Sequence, residues 1–131
     1  MKSYKIFNIK KYNNKSGRLL PISFNKKFPI KVKRIFFIYG KKKYKRGDHA
    51  HKKCAQVFYP IFGKAEITVQ FKKVKKKITL THNQNRAMLV SPKVWCDVKF
   101  LTTNSIILVL CDYDYDYNDY IESYDDFISK Y

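Results

Sequence analysis

The chain of 131 residues contains little glycine and little proline, with four residues of each. This scarcity excludes a collagen-like or low-complexity protein. The sequence also lacks any run of about 18 apolar residues, so we predict no transmembrane helix and no membrane partner. Residues 1–11 are interrupted by lysine and have no apolar centre of the kind that a signal peptide requires. We therefore expect a cytoplasmic protein.

Cysteine is also scarce. Cys54, Cys96 and Cys111 are odd in number and widely spaced, and no pair of them forms a CxxC motif. This pattern excludes a disulfide framework and gives no sign of a zinc site. We expect all three side chains to be buried as small hydrophobic groups.

The charge is strongly positive, with a formal net charge of +18. A basic chain raises the possibility of nucleic-acid binding. Only four of the 28 basic residues are arginine, however, and arginine is the side chain best suited to bidentate contacts with phosphates and bases. Lysine runs are typical of solvated faces and strand edges, so we predict no nucleic-acid partner.

The dominant pattern is a series of short apolar or aromatic runs separated by turn residues. Alternation in Ala65–Phe71 predicts a strand with one buried face, and the continuous apolar run Ile106–Leu110 predicts a strand buried on both faces. Many short strands at this spacing predict an all-β fold, an antiparallel sandwich or barrel. With no linker or internal repeat, we expect a single domain over residues 1–131.

The C-terminal segment has a different period. Tyr120 or Ile121, Tyr124, Phe127 or Ile128, and Tyr131 recur at helical spacing. Asn118 or Asp119 is a suitable N-cap residue. We predict a short amphipathic helix that packs on the β-structure.

Two of the three histidines are separated by a single residue. His49 and His51 on a strand point to the same face, while Ala50 points to the other. Two converging imidazoles indicate either a metal site or an acid–base site. Arg46 is placed to hold an anionic group, and Tyr39 to donate a hydrogen bond.

Ligand counting does not favour the metal site. Cupins that bind a metal follow their His-x-His motif with a glutamate and add a later histidine, but here Gln56 stands near the glutamate position. Residues 92–98 contain no histidine, and His82 lies in a polar turn. Only Asp97 or Cys96 remains as an anionic ligand, so we predict no metal.

The residues around the histidine pair resemble a known family. The segment Arg46–Lys53, followed by Gln56, is similar to the R-G-x-H-A-H-K-x-x-x-Q signature of the nucleotide-sugar 3,4-ketoisomerases, which are small cupins of deoxyamino-sugar biosynthesis. Further segments match the family's K-R-V-Y-Y-I, P-x-x-W and D-Y-I-x-x-Y-D-x-F motifs in the same order, at residues 33–39, 92–95 and 119–127.

The resemblance implies a cupin-type antiparallel barrel or jelly roll and an isomerase that needs no metal or cofactor. The implied reaction moves the ketone of dTDP-4-keto-6-deoxyglucose from C4 to C3 through an enediol or enediolate. A pyridoxal-phosphate aminotransferase would then act on the 3-keto product. The family's dimeric state implies a homodimer. The resemblance does not fix the configuration at C4 of the product.

Site residues follow from the motif by position. His49 and His51 are the implied proton-transfer pair, with His51 favoured as the main base. Arg46 is expected to contact the sugar or the diphosphate. The remaining expected pocket residues, which would contact the substrate, are Arg34, Tyr39, Gln56 and Trp95.

The chain departs from the family where Phe36-Phe37 replaces a Tyr-Tyr pair, which removes two hydroxyl groups. Three other hypotheses stay open: a related cupin sugar epimerase, a metal-dependent cupin enzyme and a basic nucleic-acid-binding barrel. Product analysis would identify an epimerase, and metal analysis would identify a metal-dependent enzyme. A steep salt dependence of binding would identify a nucleic-acid-binding protein.

Overall fold

The computed structural model describes residues 3–131. In this range the chain forms twelve strands, one 3-10 helix and one α-helix. Their bounds are β1 (Tyr4–Asn8), β2 (Tyr12–Asn14), β3 (Gly17–Leu19), β4 (Arg34–Gly40), β5 (Lys45–His51), β6 (Gln56–Phe62), β7 (Lys64–Phe71), β8 (Val74–Thr81), β9 (Arg86–Val90), β10 (Trp95–Phe100), β11 (Ser105–Cys111), the 3-10 helix (Tyr117–Asp119), β12 (Tyr120–Ile121) and α1 (Tyr124–Lys130).

Ten of these strands form two five-stranded sheets. The first sheet has the order β1-β9-β6-β11-β4 and the second the order β12-β5-β10-β7-β8, while β2 and β3 form a separate hairpin. Every pair is antiparallel, and most sheet neighbours are distant along the chain. Two facing antiparallel sheets with such crossovers make a jelly-roll sandwich, which confirms the predicted all-β cupin-type fold.

The main core lies between the sheets. Phe58 of β6 and Ile107 and Val109 of β11 meet Ile67 of β7 and Phe100 of β10, and all are buried. The alternate residues of β11 point to the opposite face, where residues 20–32 contribute apolar side chains that cover them. This double burial confirms the prediction for the continuous apolar run.

Residues 20–33 differ from the prediction. The apolar side chains within Arg18–Phe24 predict a strand, but β3 ends at Leu19 and the following segment is irregular. Its apolar side chains, including Ile22 and Phe28, pack on the outer face of the first sheet. The segment therefore acts as a cover for the sheet, and its apolar pattern reflects burial instead of strand pairing.

The C-terminal helix covers the outer face of the second sheet. Phe127 packs with Ala50, Trp95 and Ile121. The helix begins at Tyr124, with Ser123 as its N-cap. The prediction of Asn118 or Asp119 as the cap is wrong, because the next two residues pair with β5 as β12 and interrupt the helical path.

No helix within residues 3–131 is both long enough and apolar enough to cross a membrane.

A close contact between β4 and β10 gives a test of the core. A Cβ atom at Gly40 would overlap the ring of Phe100, which is fully buried. Gly40→Ala should therefore overpack the core and lower the free energy of unfolding by about 1–3 kcal/mol in urea denaturation. In a Phe100→Leu background the same change should cost less, because the clashing ring is gone. An equal cost in both backgrounds would contradict this packing.

Candidate active site

A cavity of about 420 Å³ opens between the two sheets, beside the edge strand β4. It is walled by β4 and β6 of the first sheet, by β5 and β10 of the second and by Tyr120 of β12. The lining residues are Phe36, Phe37, Ile38, Tyr39, Arg46, Gly47, His49, Gln56, Phe58, Cys96, Val98 and Tyr120. This lining is mostly apolar with a few polar groups, which is typical of a small-molecule site.

Four of the predicted site residues meet at this cavity. Arg46 and His49 come from β5, and Gln56 from the start of β6. Arg46 is exposed, whereas Gln56 is buried. Tyr39 lies at the rim and is 75% exposed. The cavity therefore has a cation at its surface and amide and imidazole groups deeper inside.

A bulge in β5 directs the histidines. His49 pairs with Cys96 and Gly47 pairs with Asp97, so Asp48 is an extra residue in the strand. Gly47 and Asp48 have φ angles of +93° and +64°. A Cβ atom at Gly47 would lie 3.0 Å from the carbonyl oxygen of Cys96, so glycine fits the position best.

Beyond the bulge, β5 resumes the two-residue alternation of a regular strand. His49 and His51 point to the inner face, and their ring centroids are 5.0 Å apart with the rings nearly perpendicular. Ala50 points outward and is buried beneath α1. The prediction that both imidazoles share one face is therefore confirmed by this geometry.

The second histidine is held by a carboxylate from the far end of the chain. Nδ1 of His51 lies 2.9 Å from Oδ2 of Asp119, and both residues are only 5% exposed. The Nε2 atom of His51 is buried and has no hydrogen-bond partner within residues 3–131. His51 therefore has one anchored nitrogen and one unused nitrogen.

Tyr120 is a site residue that the sequence reasoning missed. Its ring centroid lies 4.9 Å from that of His49 and 4.4 Å from that of His51. The residue pairs with His51 across β12 and β5, which brings it to the cavity. The only sequence signal was its place in the D-Y-I motif, because a contact over this chain separation has no local pattern.

Two predicted substrate contacts do not reach the cavity wall. The Arg34 guanidinium lies behind it, with Nη2 3.7 Å from Sγ of Cys111. Trp95 is buried on the other face of the second sheet, where its ring packs against Phe127. Its indole N–H donates to Oδ1 of Asp48 at 3.0 Å, so Trp95 supports the bulge from outside.

Burial sets the protonation of the histidine pair. Removal from water lowers the pKa of His49 below its ordinary value. Burial also lowers the pKa of His51, against the opposing effect of the hydrogen bond to Asp119. Both imidazoles are therefore neutral near pH 7, and a neutral imidazole carries a nitrogen lone pair that can accept a proton.

The side chains near His51 do not suit a metal ion well. His51, Cys54 and Asp119 present ligand-type atoms within 4.8 Å of one another. The carboxylate already accepts from His51 and, at 2.7 Å, from the backbone N–H of Lys53. A hydrogen bond with Cys111 raises the pKa of the Cys54 thiol, and a protonated thiol is a poor ligand. This donor set favours a hydrogen-bonded network.

Cys96 and Asp97, the other anionic ligands suggested by the sequence, point to opposite faces of β10. Cys96 faces the cavity, but burial raises the pKa of its thiol. Asp97 lies at a separate depression with Lys45 and Trp95. Successive residues of a strand point to opposite faces, so these two side chains do not join the histidine pair together.

Comparison with known proteins identifies relatives of this chain. The protein-family model described as "FdtA: WxcM-like, C-terminal" matches residues 2–131. The curated TDP-4-oxo-6-deoxy-alpha-D-glucose-3,4-oxoisomerase of Aneurinibacillus thermoaerophilus is 33% identical over 124 residues, which cover 94% of this chain and 88% of the relative.

Solved structures agree with this relation. A 3,4-ketoisomerase from Helicobacter canadensis superposes with a TM-score of 0.88 at 32% identity, covering 96% of this chain and 95% of that one. A variant of the 3,4-ketoisomerase QdtA from Thermoanaerobacterium thermosaccharolyticum, solved in complex with TDP-4-keto-6-deoxyglucose, gives a TM-score of 0.90 at 29% identity. That match covers 99% of this chain and 94% of that one.

The lowered pKa values predict a stability that depends on pH. Unfolded histidine has a pKa of 6.5, so below this value the unfolded chain binds protons that the folded His49 and His51 do not. The contribution of the two neutral histidines to the free energy of unfolding is fully present above pH 6.5. It is lost as the pH falls towards their pKa values in the folded protein. For each histidine the loss is limited to about 1.4 kcal/mol per pH unit.

Urea unfolding from about pH 7.5 to about pH 5.5 measures this effect. The wild-type protein should lose more stability over this range than a His49→Asn/His51→Asn variant. Equal losses in the two proteins would show that neither histidine has a lowered pKa.

Proposed function

The chain belongs to the FdtA, WxcM-like family of sugar 3,4-ketoisomerases, and we propose that its substrate is dTDP-4-keto-6-deoxyglucose. It is an isomerase with a cupin-like fold. The proposed reaction converts a C4 ketone and C3 hydroxyl into a C3 ketone and C4 hydroxyl. The observation that carries the proposal is the pair of adjacent imidazoles, with half-buried His49 at the cavity wall and buried His51 behind it.

The proposed chemistry is proton transfer at carbon. The C4 ketone acidifies the C3 proton, and a base of near-neutral pKa removes it. The C–H electrons form the C3–C4 double bond of an enediolate, and the former carbonyl oxygen takes the negative charge. A proton moves from the C3 hydroxyl to the C4 oxygen. Protonation of C4 then completes the shift, so that no redox cofactor or metal is consumed.

The geometry favours His49 as the base that meets the sugar. His49 lines the cavity, whereas His51 lies behind it against Asp119. The family motif favours His51 as the main base, but the anchored nitrogen and deeper position of His51 suit the second member of the pair better. We assign removal of the C3 proton to His49 and exchange of that proton within the pair to His51.

We propose that charged and polar side chains at the cavity bind the two ends of the substrate. Arg46 is an exposed cation at the cavity, and the diphosphate of a nucleotide sugar is an anion. The net charge of +18 would also attract such an anion from a distance. Gln56 would hydrogen-bond to sugar hydroxyls inside, and Phe36 and Phe58 would exclude water from the reacting carbons.

We propose a cytoplasmic enzyme of one domain over residues 1–131, with no nucleic-acid or membrane partner. The three cysteines are free and buried, which agrees with a reducing compartment.

Substitution of the histidines tests the catalytic proposal. His49→Asn and His51→Asn should each lower kcat by about 100-fold or more, because positioned proton transfer contributes on this scale. Formation of the 3-keto sugar from dTDP-4-keto-6-deoxyglucose is followed by NMR with chelator-treated protein.

The matched control is His82→Asn. His82 lies outside the cavity, stacks on Phe62 and accepts the Gly63 N–H at 2.9 Å, so its loss should leave kcat within about threefold of wild type. Wild-type activity in both His49→Asn and His51→Asn would refute the site. A product that retains its ketone at C4 would instead identify an epimerase.

A homodimer is proposed from the outer face of β4. This edge strand exposes Ile35, Phe37 and Tyr39 by 53%, 48% and 75%, and the last two also border the cavity. A contiguous apolar strip of this kind is typical of an interaction surface. Light scattering should give twice the chain mass of 15.7 kDa, and Phe37→Glu should shift the protein towards monomer.

Phe71→Glu provides the control, because Phe71 is 38% exposed on the other sheet. This variant should remain dimeric. A monomeric wild-type protein, or equal dissociation of both variants, would contradict the assignment of the β4 face.

A further inference from the structure

We propose that Asp119 is a positioning residue that holds His51 in the tautomer with the proton on Nδ1. The inference rests on the proposed function of the histidine pair and deepens it. Asp119 was not among the site residues expected from the sequence, where it was a candidate helix cap and the first residue of the D-Y-I segment.

The contact is short and shielded from water. Oδ2 of Asp119 lies 2.9 Å from Nδ1 of His51, and both side chains are more than nine-tenths buried. The other carboxylate oxygen accepts the backbone N–H of Lys53 at 2.7 Å, and Oδ2 also lies 3.4 Å from the backbone nitrogen of Cys54. These N–H groups hold the carboxylate in one orientation.

The carboxylate decides which imidazole nitrogen carries the proton. An ionised carboxylate only accepts hydrogen bonds, so Nδ1 of a neutral His51 has to be the donor. The lone pair is then on Nε2, which is buried and has no partner within residues 3–131. The ring packs against those of His49 and Tyr120, both of which line the cavity. Asp119 thereby keeps an imidazole acceptor free for proton exchange.

The backbone places Asp119 independently of its side chain. Asp119 ends the 3-10 helix, whose first turn is capped by the Asp116 carboxylate. Its carbonyl oxygen accepts the N–H of Lys52 at 2.8 Å, and the next residue pairs with His51 in β12. The segment should therefore stay docked when the carboxylate alone is changed, which allows a substitution to separate positioning from folding.

The test is Asp119→Asn. The amide oxygen can still accept the N–H of Lys53, while the amide N–H₂ can only donate to His51. His51 would then carry its proton on Nε2 and lose the free acceptor. We expect kcat to fall by about 100-fold or more, as in other sites where an asparagine imposes the wrong histidine tautomer, with KM changed by less than about threefold. Long-range ¹H–¹⁵N NMR of the histidine rings should show Nδ1–H in the wild type and Nε2–H in the variant.

The matched control is Asp112→Asn. The Asp112 carboxylate also accepts a backbone N–H nearby, that of Ala55 at 2.8 Å, and within residues 3–131 it has no hydrogen bond to a histidine. It should retain both kcat and the His51 tautomer. A comparable loss of kcat in this control would indicate a structural cause and overturn the proposal.

Other outcomes also overturn it. These are a wild-type His51 protonated on Nε2, wild-type kcat in Asp119→Asn, or a lower kcat without a change of tautomer. The wild-type tautomer is measurable even when the variant fails to fold. If the wild type shows Nδ1–H but no isomerisation of the sugar, the proposed function fails while the Asp119 contact stands.

Discussion

Strand β5 lies between β10 and β12, and its hydrogen bonds to both neighbours fix the depth and direction of the histidine pair. The bulge at Asp48 turns His49 and His51 into the space between the sheets. Pairing with β12 then brings the C-terminal segment, and with it Asp119 and Tyr120, against the same strand. The catalytic proposal depends on these two pairings, because they bring the bulged strand and the C-terminal segment together.

Burial and charge act on different parts of the molecule. At and behind the cavity wall, removal from water lowers the pKa of both imidazoles and so favours the neutral state that a general base requires. Outside, the surface is rich in lysine and attracts anions. The proposed substrate, a nucleotide sugar with a charged diphosphate and a neutral sugar ring, fits this division, because its diphosphate would lie near Arg46 and its sugar beside His49.

Much of the fold was predictable, since local periodicity reports which faces of a strand are buried. The double-faced burial of β11 and the shared face of His49 and His51 were both read correctly from spacing. The start of the C-terminal helix was not, because β12 depends on pairing with a distant strand. The positions of Trp95 and Asp119 could not be predicted for the same reason. The indole of Trp95 packs beneath the C-terminal helix, and the carboxylate of Asp119 contacts His51, and both are tertiary contacts that local sequence does not specify.

The most direct measurement of the central claim is proton NMR of dTDP-4-keto-6-deoxyglucose with the protein in D₂O. Removal of the C3 proton by an enzyme base that exchanges with solvent predicts loss of the C3 signal and a 3-keto product with deuterium at C4. A product without any deuterium would show that the proton passes from C3 to C4 shielded from solvent. Retention of the C3 proton with no product would contradict the account.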